Sequence, residues 1–217
     1  MISNFCIKDF SLQNKTKLFT CVNPTNYFYI EGIKNSFFKI YSDGIFLTLL
    51  YNLRYKKTIY RNSMDDTSIM PVLFNYSKIN NLSIFFVGCN SSQIMKSVNS
   101  ITRKYNLKNI SGYSSGYHEL PYLIDVIQNK KFDIIIAGLG SPKQEEFLVT
   151  LSDVINHPFI GITCGGYLYQ SFYSKKYYSD KVDRMNVRWL IRALRHSHVR
   201  KKLIIDYPKF LFHWFSK

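Results

Sequence analysis

The sequence predicts an α/β fold: a Rossmann-like parallel-sheet core with helices on both faces, plus a C-terminal helical appendage. Two observations predict the core. Short, strongly apolar runs alternate with amphipathic stretches of helical spacing, and glycines close several of those runs. A third observation predicts the appendage, because the positive charge is concentrated near the C-terminus. We therefore expect an α/β core over residues 1–180 and a basic, amphipathic appendage over residues 181–217.

The first third of the chain predicts one strand and two helices. Residues 18–22 form a short strand that ends at Asn23, because the proline after it disfavours the helical conformation there. Apolar residues at helical spacing predict a helix within residues 27–40. Residues 45–53 are mostly apolar and predict a buried helix, for which Asp43 can act as the N-cap.

The rest of the core shows the repeating strand and helix pattern most clearly. Ser91 or Ser92 can cap the first of its helices, and a segment rich in glycine and tyrosine, residues 112–117, predicts a loop. Strands are predicted at residues 82–87, 133–137 and 159–163, with a further short segment at 109–112, and helices at about 91–105, 120–129 and 141–151. Ligands of such sheets bind beyond the carboxyl ends of the strands, so the loops there are the expected site.

Composition excludes several classes of protein. The chain has 217 residues, of which 46% are hydrophobic and 17% aromatic, which argues against disorder. Its apolar runs are far shorter than the roughly 20 residues of a transmembrane helix, and residues 1–9 lack the pattern of a secretory signal. A protein that stays in the cytosol is therefore expected. The four cysteines and five histidines show no disulfide or metal-ligand spacing, so a disulfide framework is not predicted and a metal site is possible but not favoured.

The C-terminal segment carries more than half of the net charge of +15. Residues 181–217 contain ten basic and two acidic residues, which gives this segment +8. In a helix, its arginines would form one stripe beside an apolar stripe, and the aromatic cluster 210–215 follows. This composition is typical of a segment that lies in an anionic membrane interface. The pattern fits equally well a helix that docks on the core with its arginines in water.

Residues 138–146, with the sequence Gly-Leu-Gly-Ser-Pro-Lys-Gln-Glu-Glu, form the sharpest local pattern. It reads as a helix start, with Ser141 as N-cap and Gln144 closing a capping box. Gly138 and Gly140 also allow backbone N–H groups to approach a ligand, and a helix N-terminus after a strand is a natural phosphate site. The third glycine of a dinucleotide fingerprint is missing, which disfavours NAD.

Two charged residues are candidates for chemistry. Asp43 lies in an Asp-Gly pair, which is more often only a turn, yet a carboxylate beside a glycine suits the deprotonation of a hydroxyl nucleophile. Arg61 is by default a solvated arginine, although a fixed guanidinium can hold a diphosphate through two parallel hydrogen bonds.

Together these motifs resemble one family, the WecG/TagA/CpsF bacterial glycosyltransferases (glycosyltransferase family 26), from about residue 20 to residue 203. The most specific piece is the glycine-serine-proline-lysine-glutamine-glutamate signature within residues 138–145. Supporting pieces occur in the same order as in the family: Val22-Asn23-Pro24, Ser42-Asp43-Gly44, Ser115-Gly116-Tyr117, Cys164-Gly165-Gly166 and Arg188-Trp189-Leu190-Ile191-Arg192.

The resemblance implies an inverting, metal-independent enzyme that needs no cofactor. Such enzymes move a sugar, typically N-acetylmannosamine or its uronic acid, from a UDP donor to a sugar on undecaprenyl diphosphate. They build lipid-linked precursors of surface polysaccharides such as capsule, lipopolysaccharide or teichoic acid, at the cytoplasmic face of the bacterial membrane. The resemblance therefore implies a peripheral membrane protein whose partners are a UDP-sugar, a lipid-linked acceptor and an anionic membrane surface.

The resemblance also assigns roles to particular residues. Asp43 matches the family's proposed catalytic base and Arg61 an active-site arginine, while Asn23 lies in the N-terminal pocket motif. The remaining matches are expected to bind substrate: Gly138, Gly140, Ser141, Gln144, Gly165, Arg188, Arg192 and Arg200. The three arginines belong to the tail and are expected to reach the diphosphate when the tail folds over the pocket. The chain departs from the family pattern at Cys21, Met64 and Tyr169, around the expected sugar and acceptor pockets, so the particular sugar can differ.

Three other interpretations stay open at this stage. A nucleic-acid-binding protein fits the charge and the many aromatics, but the chain has no recognition motif and no nucleic acid is expected as a partner. A non-catalytic peripheral membrane protein could use the same fold. A basic tail that leaves the core would expose an apolar groove, which is compatible with a homo-oligomer.

Overall fold

Six strands form one parallel sheet at the centre of the molecule, as predicted. The computed structural model describes residues 1–11, 14–173 and 197–216. Within them the strand order is β2-β1-β6-β5-β3-β4, and every pairing is parallel. The strands are β1 (Lys17–Val22), β2 (Lys39–Ser42), β3 (Ile84–Gly88), β4 (Ile110–Ser114), β5 (Ile134–Gly138) and β6 (Ile160–Thr163).

Helices cover both faces of this sheet. They are α1 (Tyr27–Gly32), α2 (Ile45–Tyr55), α3 (Ile69–Ile79), α4 (Ser91–Tyr105), α5 (Leu120–Gln128), α6 (Lys143–Val154), α7 (Tyr167–Phe172) and α8 (Ser197–Ser216), with 3-10 turns at Ile7–Phe10 and Lys34–Ser36. One face is packed by α1, α2, α5, α6 and α8, and the other by α3, α4 and α7. The predicted α/β architecture with a C-terminal helix is therefore confirmed.

The strand sequences explain the two cores. Successive side chains of a strand point to opposite faces, and both faces of the inner strands β3, β5 and β6 are covered, so these strands are almost entirely buried. Leu18 belongs to the core beneath α6, and its neighbour Phe19 belongs to the core beneath α3. Phe85 and Phe86 of β3 divide in the same way.

Several predicted boundaries were wrong. The segment 27–40 is not one helix, because α1 ends at Gly32 and residues 39–42 pair with β1 as strand β2. Pairing with a neighbouring strand overrides the helical spacing of that segment. The side chain of Asn90, rather than Ser91 or Ser92, caps α4 by accepting hydrogen bonds from two backbone N–H groups. Strand β4 continues to Ser114, into the predicted loop.

Helix α2 is only half buried, contrary to the prediction for residues 45–53. Leu47 and Tyr51 are buried against the sheet. Leu49 and Leu53, on the opposite side of the helix, are 60% and 79% exposed. The apolar residues of α2 thus form one buried side and one exposed side. The sequence could not distinguish the two sides, because both are apolar.

Helix α8 docks on the core through its aromatic residues. Phe210 and Trp214 are buried, and their rings contact Tyr27 at centroid distances of 5.2 and 5.4 Å. Phe212 and Phe215 point outward and are 79% and 74% exposed. The aromatic cluster of the tail is therefore divided between the core and the surface. The domain boundary after residue 180 falls outside the described residues and stays a prediction.

Candidate active site

Several of the predicted site residues lie along one edge of the sheet. Because all strands are parallel, the loops that follow them lie along the same edge. Asn23 follows β1, Asp43 follows β2, Gly140 follows β5 and Gly165 follows β6. Residues that are far apart in the sequence are thereby brought together, and the surface beyond this edge is the candidate active site.

Asp43 and Arg61 form an ion pair at this edge. Arg61 Nη2 lies 3.3 Å from Asp43 Oδ1, and both side chains remain partly accessible. Ser42 forms an isolated parallel bridge with Arg61, so the backbone fixes the arginine beside the strand that carries the aspartate. The backbone N–H of Asp43 donates to the carbonyl of Val22. The N-cap of α2 is Gly44, so the prediction that Asp43 caps this helix was wrong.

Asn23 belongs to a tight turn that also involves a neighbouring asparagine. Its Oδ1 accepts hydrogen bonds from the backbone N and the hydroxyl of Thr25, at 2.9 and 2.7 Å. Asn26 Oδ1 accepts from the backbone N–H of Asn23, while Asn26 Nδ2 donates to the carbonyl of Cys21 and lies 3.5 Å from Ser141 Oγ. Asn26, which the sequence did not single out, thus connects the loop after β1 to the signature segment.

The signature segment starts its helix differently from the prediction. Helix α6 begins at Lys143 with Pro142 as N-cap, and the Ser141–Pro142 peptide bond is cis. Ser141 is therefore not the N-cap, and Gln144 closes no capping box with it. Gln144 is buried instead: its Oε1 accepts from the backbone N–H of Gly165 at 3.1 Å. This hydrogen bond positions the loop after β6, so Gln144 acts on the site through Gly165.

A buried carboxyl lies directly behind this loop. Glu145 is fully buried, and its Oε1 accepts hydrogen bonds from Thr20 Oγ1 at 3.0 Å and Gln144 Nε2 at 2.9 Å. Thr163 Oγ1 donates to Thr20 Oγ1, which extends the network across β1 and β6. Glu145 Oε2 is buried and has no hydrogen-bond partner among the residues that the structure describes. Burial raises the pKa of Glu145, although its hydrogen bonds oppose the shift.

The glycines of the site divide into two groups. Gly140 and Gly165 have positive φ angles of 76° and 53°, and an added β-carbon at either would meet no atom within 4 Å. Their backbone therefore borders open space that a ligand can occupy. At Gly138 a β-carbon would lie 3.0 Å from the carbonyl oxygen of Gly165 and 3.1 Å from Cys164 Sγ. Gly138 therefore packs tightly between adjacent loops, while the ligand-binding role predicted for it stays a prediction.

Lys143 of the signature holds a neighbouring loop. Its Nζ donates to the carbonyl of His118 at 2.6 Å and to that of Gly116 at 3.2 Å. The glycine and tyrosine segment after β4 is thereby fixed to the start of α6. Gly116 is also required for close approach, because a β-carbon there would lie 2.4 Å from Leu139 Cδ2. The sequence placed both residues in motifs, but not in contact.

A second set of hydrogen bonds fixes the loop that follows Arg61. Asp66 accepts from Tyr105 OH at 2.6 Å and Tyr167 OH at 2.7 Å, and it pairs with Lys104. Burial, and next the charge of this carboxylate, raise the pKa of Tyr167. This loop is therefore tied to α4 and α7 through Asp66.

The remaining predicted residues are placed as follows. Met64 is buried in the core beneath α3, and Tyr169 is partly exposed on α7. Arg200 is exposed on the first turn of α8. Arg188 and Arg192 lie outside the described residues. Among those described, no group of three or more His, Cys, Asp or Glu side chains could hold a metal ion, and no helix is long and apolar enough to cross a membrane.

Comparisons with known proteins identify the family of the chain. A family model described as the glycosyl transferase WecG/TagA/CpsF family matches residues 25–217. The chain is also 37% identical over 214 residues to the UDP-Gal:alpha-D-GlcNAc-diphosphoundecaprenol beta-1,4-galactosyltransferase of Shigella boydii. That match spans 95% of this chain and 90% of the relative. The chain therefore belongs to the WecG/TagA/CpsF family and is a glycosyltransferase.

Proposed function

We propose, starting from this family membership, that the protein moves a hexose from a UDP-sugar to a sugar carried on undecaprenyl diphosphate. The observation that carries the proposal is the Asp43–Arg61 pair at the carboxyl edge of the sheet, beside the open backbone of Gly140 and Gly165. A base, a cation and open backbone at a helix start are elements that such a transfer can use. The N–H of Gly165 itself is held by Gln144. The relative from Shigella boydii, which acts on substrates of this kind, supports it.

In the proposed mechanism, Asp43 acts as the general base. Its carboxylate takes the proton of an acceptor hydroxyl, and the oxygen attacks the anomeric carbon of the donor sugar. The bond between that carbon and the diphosphate oxygen breaks, UDP leaves with the electron pair, and the configuration at the carbon is inverted. Arg61 keeps the carboxylate oriented, because its guanidinium contacts Asp43 Oδ1.

The negative charge that develops on UDP needs stabilisation. The backbone at Gly140, just before α6, borders open space, and a helix N-terminus carries a partial positive charge. We propose that the diphosphate of the donor lies there. Arg188, Arg192 and Arg200 are proposed to approach the diphosphates from the tail. The mechanism then requires no metal, which stays a prediction that a chelator tests.

The donor sugar is proposed to be galactose or a close analogue. The relative takes galactose from UDP-Gal and transfers it to GlcNAc on diphosphoundecaprenol. Its match covers nearly the whole chain, which favours the same substrate class here. N-acetylmannosamine, the donor sugar expected from the family resemblance, is the alternative to be compared in the same assay.

The lipid-linked acceptor places the enzyme at the cytoplasmic face of the membrane, as a peripheral protein, in this proposal. The outward side of α8 supports it, since Ile204, Phe212 and Phe215 are 73%, 79% and 74% exposed. Such residues suit insertion among lipids. A nucleic-acid partner is not proposed: its binding should weaken steeply with salt, whereas binding through buried aromatics should persist.

The test incubates purified protein with a panel of UDP-sugars and GlcNAc-diphosphoundecaprenol, with and without EDTA. Loss of a general base lowers rates by about 100- to 10,000-fold, so Asp43→Asn should lower kcat by at least about 100-fold. Asp125→Asn is the matched control, because Asp125 is exposed on α5. Transfer from no donor, or full activity of Asp43→Asn, contradicts the proposal. Loss of activity in EDTA contradicts metal independence alone.

A further inference from the structure

The outward face of α2 is a continuous apolar ridge next to the catalytic aspartate. Ile45, Leu49 and Leu53 occupy every fourth position and are 39%, 60% and 79% exposed. Residues at this spacing lie on one side of a helix. Phe46, 37% exposed, widens the ridge at its start. The opposite side is buried against the sheet, so α2 is apolar on both sides.

Exposed apolar ridges of this kind mark contact surfaces. Scattered apolar residues are normal on a protein surface, but contiguous ones indicate a partner. The surrounding charge indicates which partner. Between Asp43 and Asp65 the chain has no acidic residue and four basic ones, Arg54, Lys56, Lys57 and Arg61. Arg54, Lys56 and Lys57 are exposed at the C-terminal end of the ridge. Apolar residues flanked by exposed cations match an anionic lipid surface.

Helix α8 extends this surface. The rings of Phe46 and Tyr207 stack at a centroid distance of 5.8 Å, and the guanidinium of Arg54 lies 5.0 Å from the ring centroid of Trp214. Arg54 also donates a hydrogen bond to the carbonyl of Trp214. These contacts join the start of α2 to an earlier part of α8 and its end to a later part, so the two helices run side by side in the same direction. Each has an apolar side turned to solvent.

We propose that the outward face of α2 is a lipid-contacting surface. Ile45, Leu49 and Leu53 enter the interface of an anionic bilayer, and Lys56 and Lys57 contact lipid phosphates. Because α2 begins two residues after Asp43, this contact holds the catalytic base at the level of the lipid headgroups, where the diphosphate of a lipid-linked acceptor lies. The inference rests on the proposed function for that last step. It places membrane contact on the core itself, in addition to the tail.

The test measures sedimentation of the full chain with vesicles of phosphatidylglycerol and phosphatidylethanolamine. Leu49→Gln/Leu53→Gln should weaken binding at least about tenfold, because two leucines lose their apolar burial in lipid. Ile79→Gln/Met95→Gln is the matched control, since both residues are exposed and lie on helices of the opposite face of the sheet. This control should bind as the wild type does.

Two further measurements complete the experiment. Leu49→Gln/Leu53→Gln should transfer hexose normally to a water-soluble, short-chain acceptor but slowly to an acceptor embedded in vesicles. Lys56→Gln/Lys57→Gln should weaken vesicle binding several-fold at low salt and leave thermal unfolding unchanged.

Three outcomes overturn or separate the proposals. Vesicle binding by Leu49→Gln/Leu53→Gln that superimposes on the wild type overturns the lipid contact. A wild-type dimer that this substitution converts to a monomer, with unchanged vesicle binding, assigns the ridge to a second copy and also overturns it. If the wild type transfers no sugar in any assay, the proposed function fails, while the sedimentation result still decides the lipid contact.

Discussion

Replacement of Trp214 by alanine tests how α8 is held on the core. Trp214 is 4% exposed, and its ring contacts those of Tyr27, Tyr55 and Phe210 at centroid distances of 5.4, 5.9 and 5.3 Å. Removal of a buried aromatic side chain costs about 3 to 5 kcal/mol. Because α8 lies at the end of the chain, we expect this loss to fall mainly on its docking and only partly on the sheet.

The expected effect is large enough to measure directly. Each 1.4 kcal/mol is a factor of ten, so α8 should open about 100-fold or more often in Trp214→Ala than in the wild type. Hydrogen exchange followed by mass spectrometry reports this opening as faster exchange of the α8 amides. Exchange in β3 and β5 should change much less.

Phe212→Ala is the matched control for this prediction. Phe212 is on the same helix but 79% exposed, so its removal creates no cavity. Its α8 amides should exchange at the wild-type rate. Unchanged protection of α8 in Trp214→Ala, or an equal effect of both substitutions, would refute the docking of the helix through its buried aromatics.

Two other predictions concern the groups behind the site. The stability of Glu145→Gln relative to the wild type should increase as the pH rises from 4 to 8. Because the pKa of Glu145 is raised in the folded state, the unfolded chain releases this proton at a lower pH than the folded protein does. The contribution of Glu145 to the stability of the wild type therefore falls as the pH rises, and the variant lacks this loss. Urea unfolding at several pH values measures it, and a pH-independent difference contradicts it. Tyr167→Phe removes the hydrogen bond to Asp66 and should cost about 1.5 kcal/mol, lowering Tm by about 3 to 6 °C. A thermal melt checks it, and an unchanged Tm contradicts the role of Asp66.

The sheet could be predicted from the sequence because its inner strands β3, β5 and β6 are buried on both faces. Runs such as residues 134–137 are apolar throughout, and a helix follows most of them at a glycine-rich turn. Strand β2 was not predicted because Ile40 continues the helical spacing that begins in α1. The conformation of β2 is decided by its pairing with β1, a contact that the local sequence of β2 does not reveal.

The site was predictable as a set of residues, but their roles were not. Parallel topology alone brings Asn23, Asp43 and Gly165 to one edge. Ser141 and Gln144 have the residue types of a capping box, and cap patterns in a sequence do not reveal that Gln144 instead binds the N–H of Gly165. The hydrogen bonds of Lys143 could not be predicted either, because their acceptors are backbone carbonyls, which every residue has.

The strand order has a consequence for how the protein reaches its folded state. Strand β1 lies between β2 and β6, and its residue Lys17 pairs with Ile160 near the end of the core. During synthesis, β1 and β2 therefore cannot join the rest of the sheet until β6, the last strand of the core, has been made. Pairings so distant in sequence form slowly and leave strand edges open to aggregation. Asn23 and Asp43 directly follow these strands, so the proposed base joins the other site residues only after β6 has taken its place in the sheet.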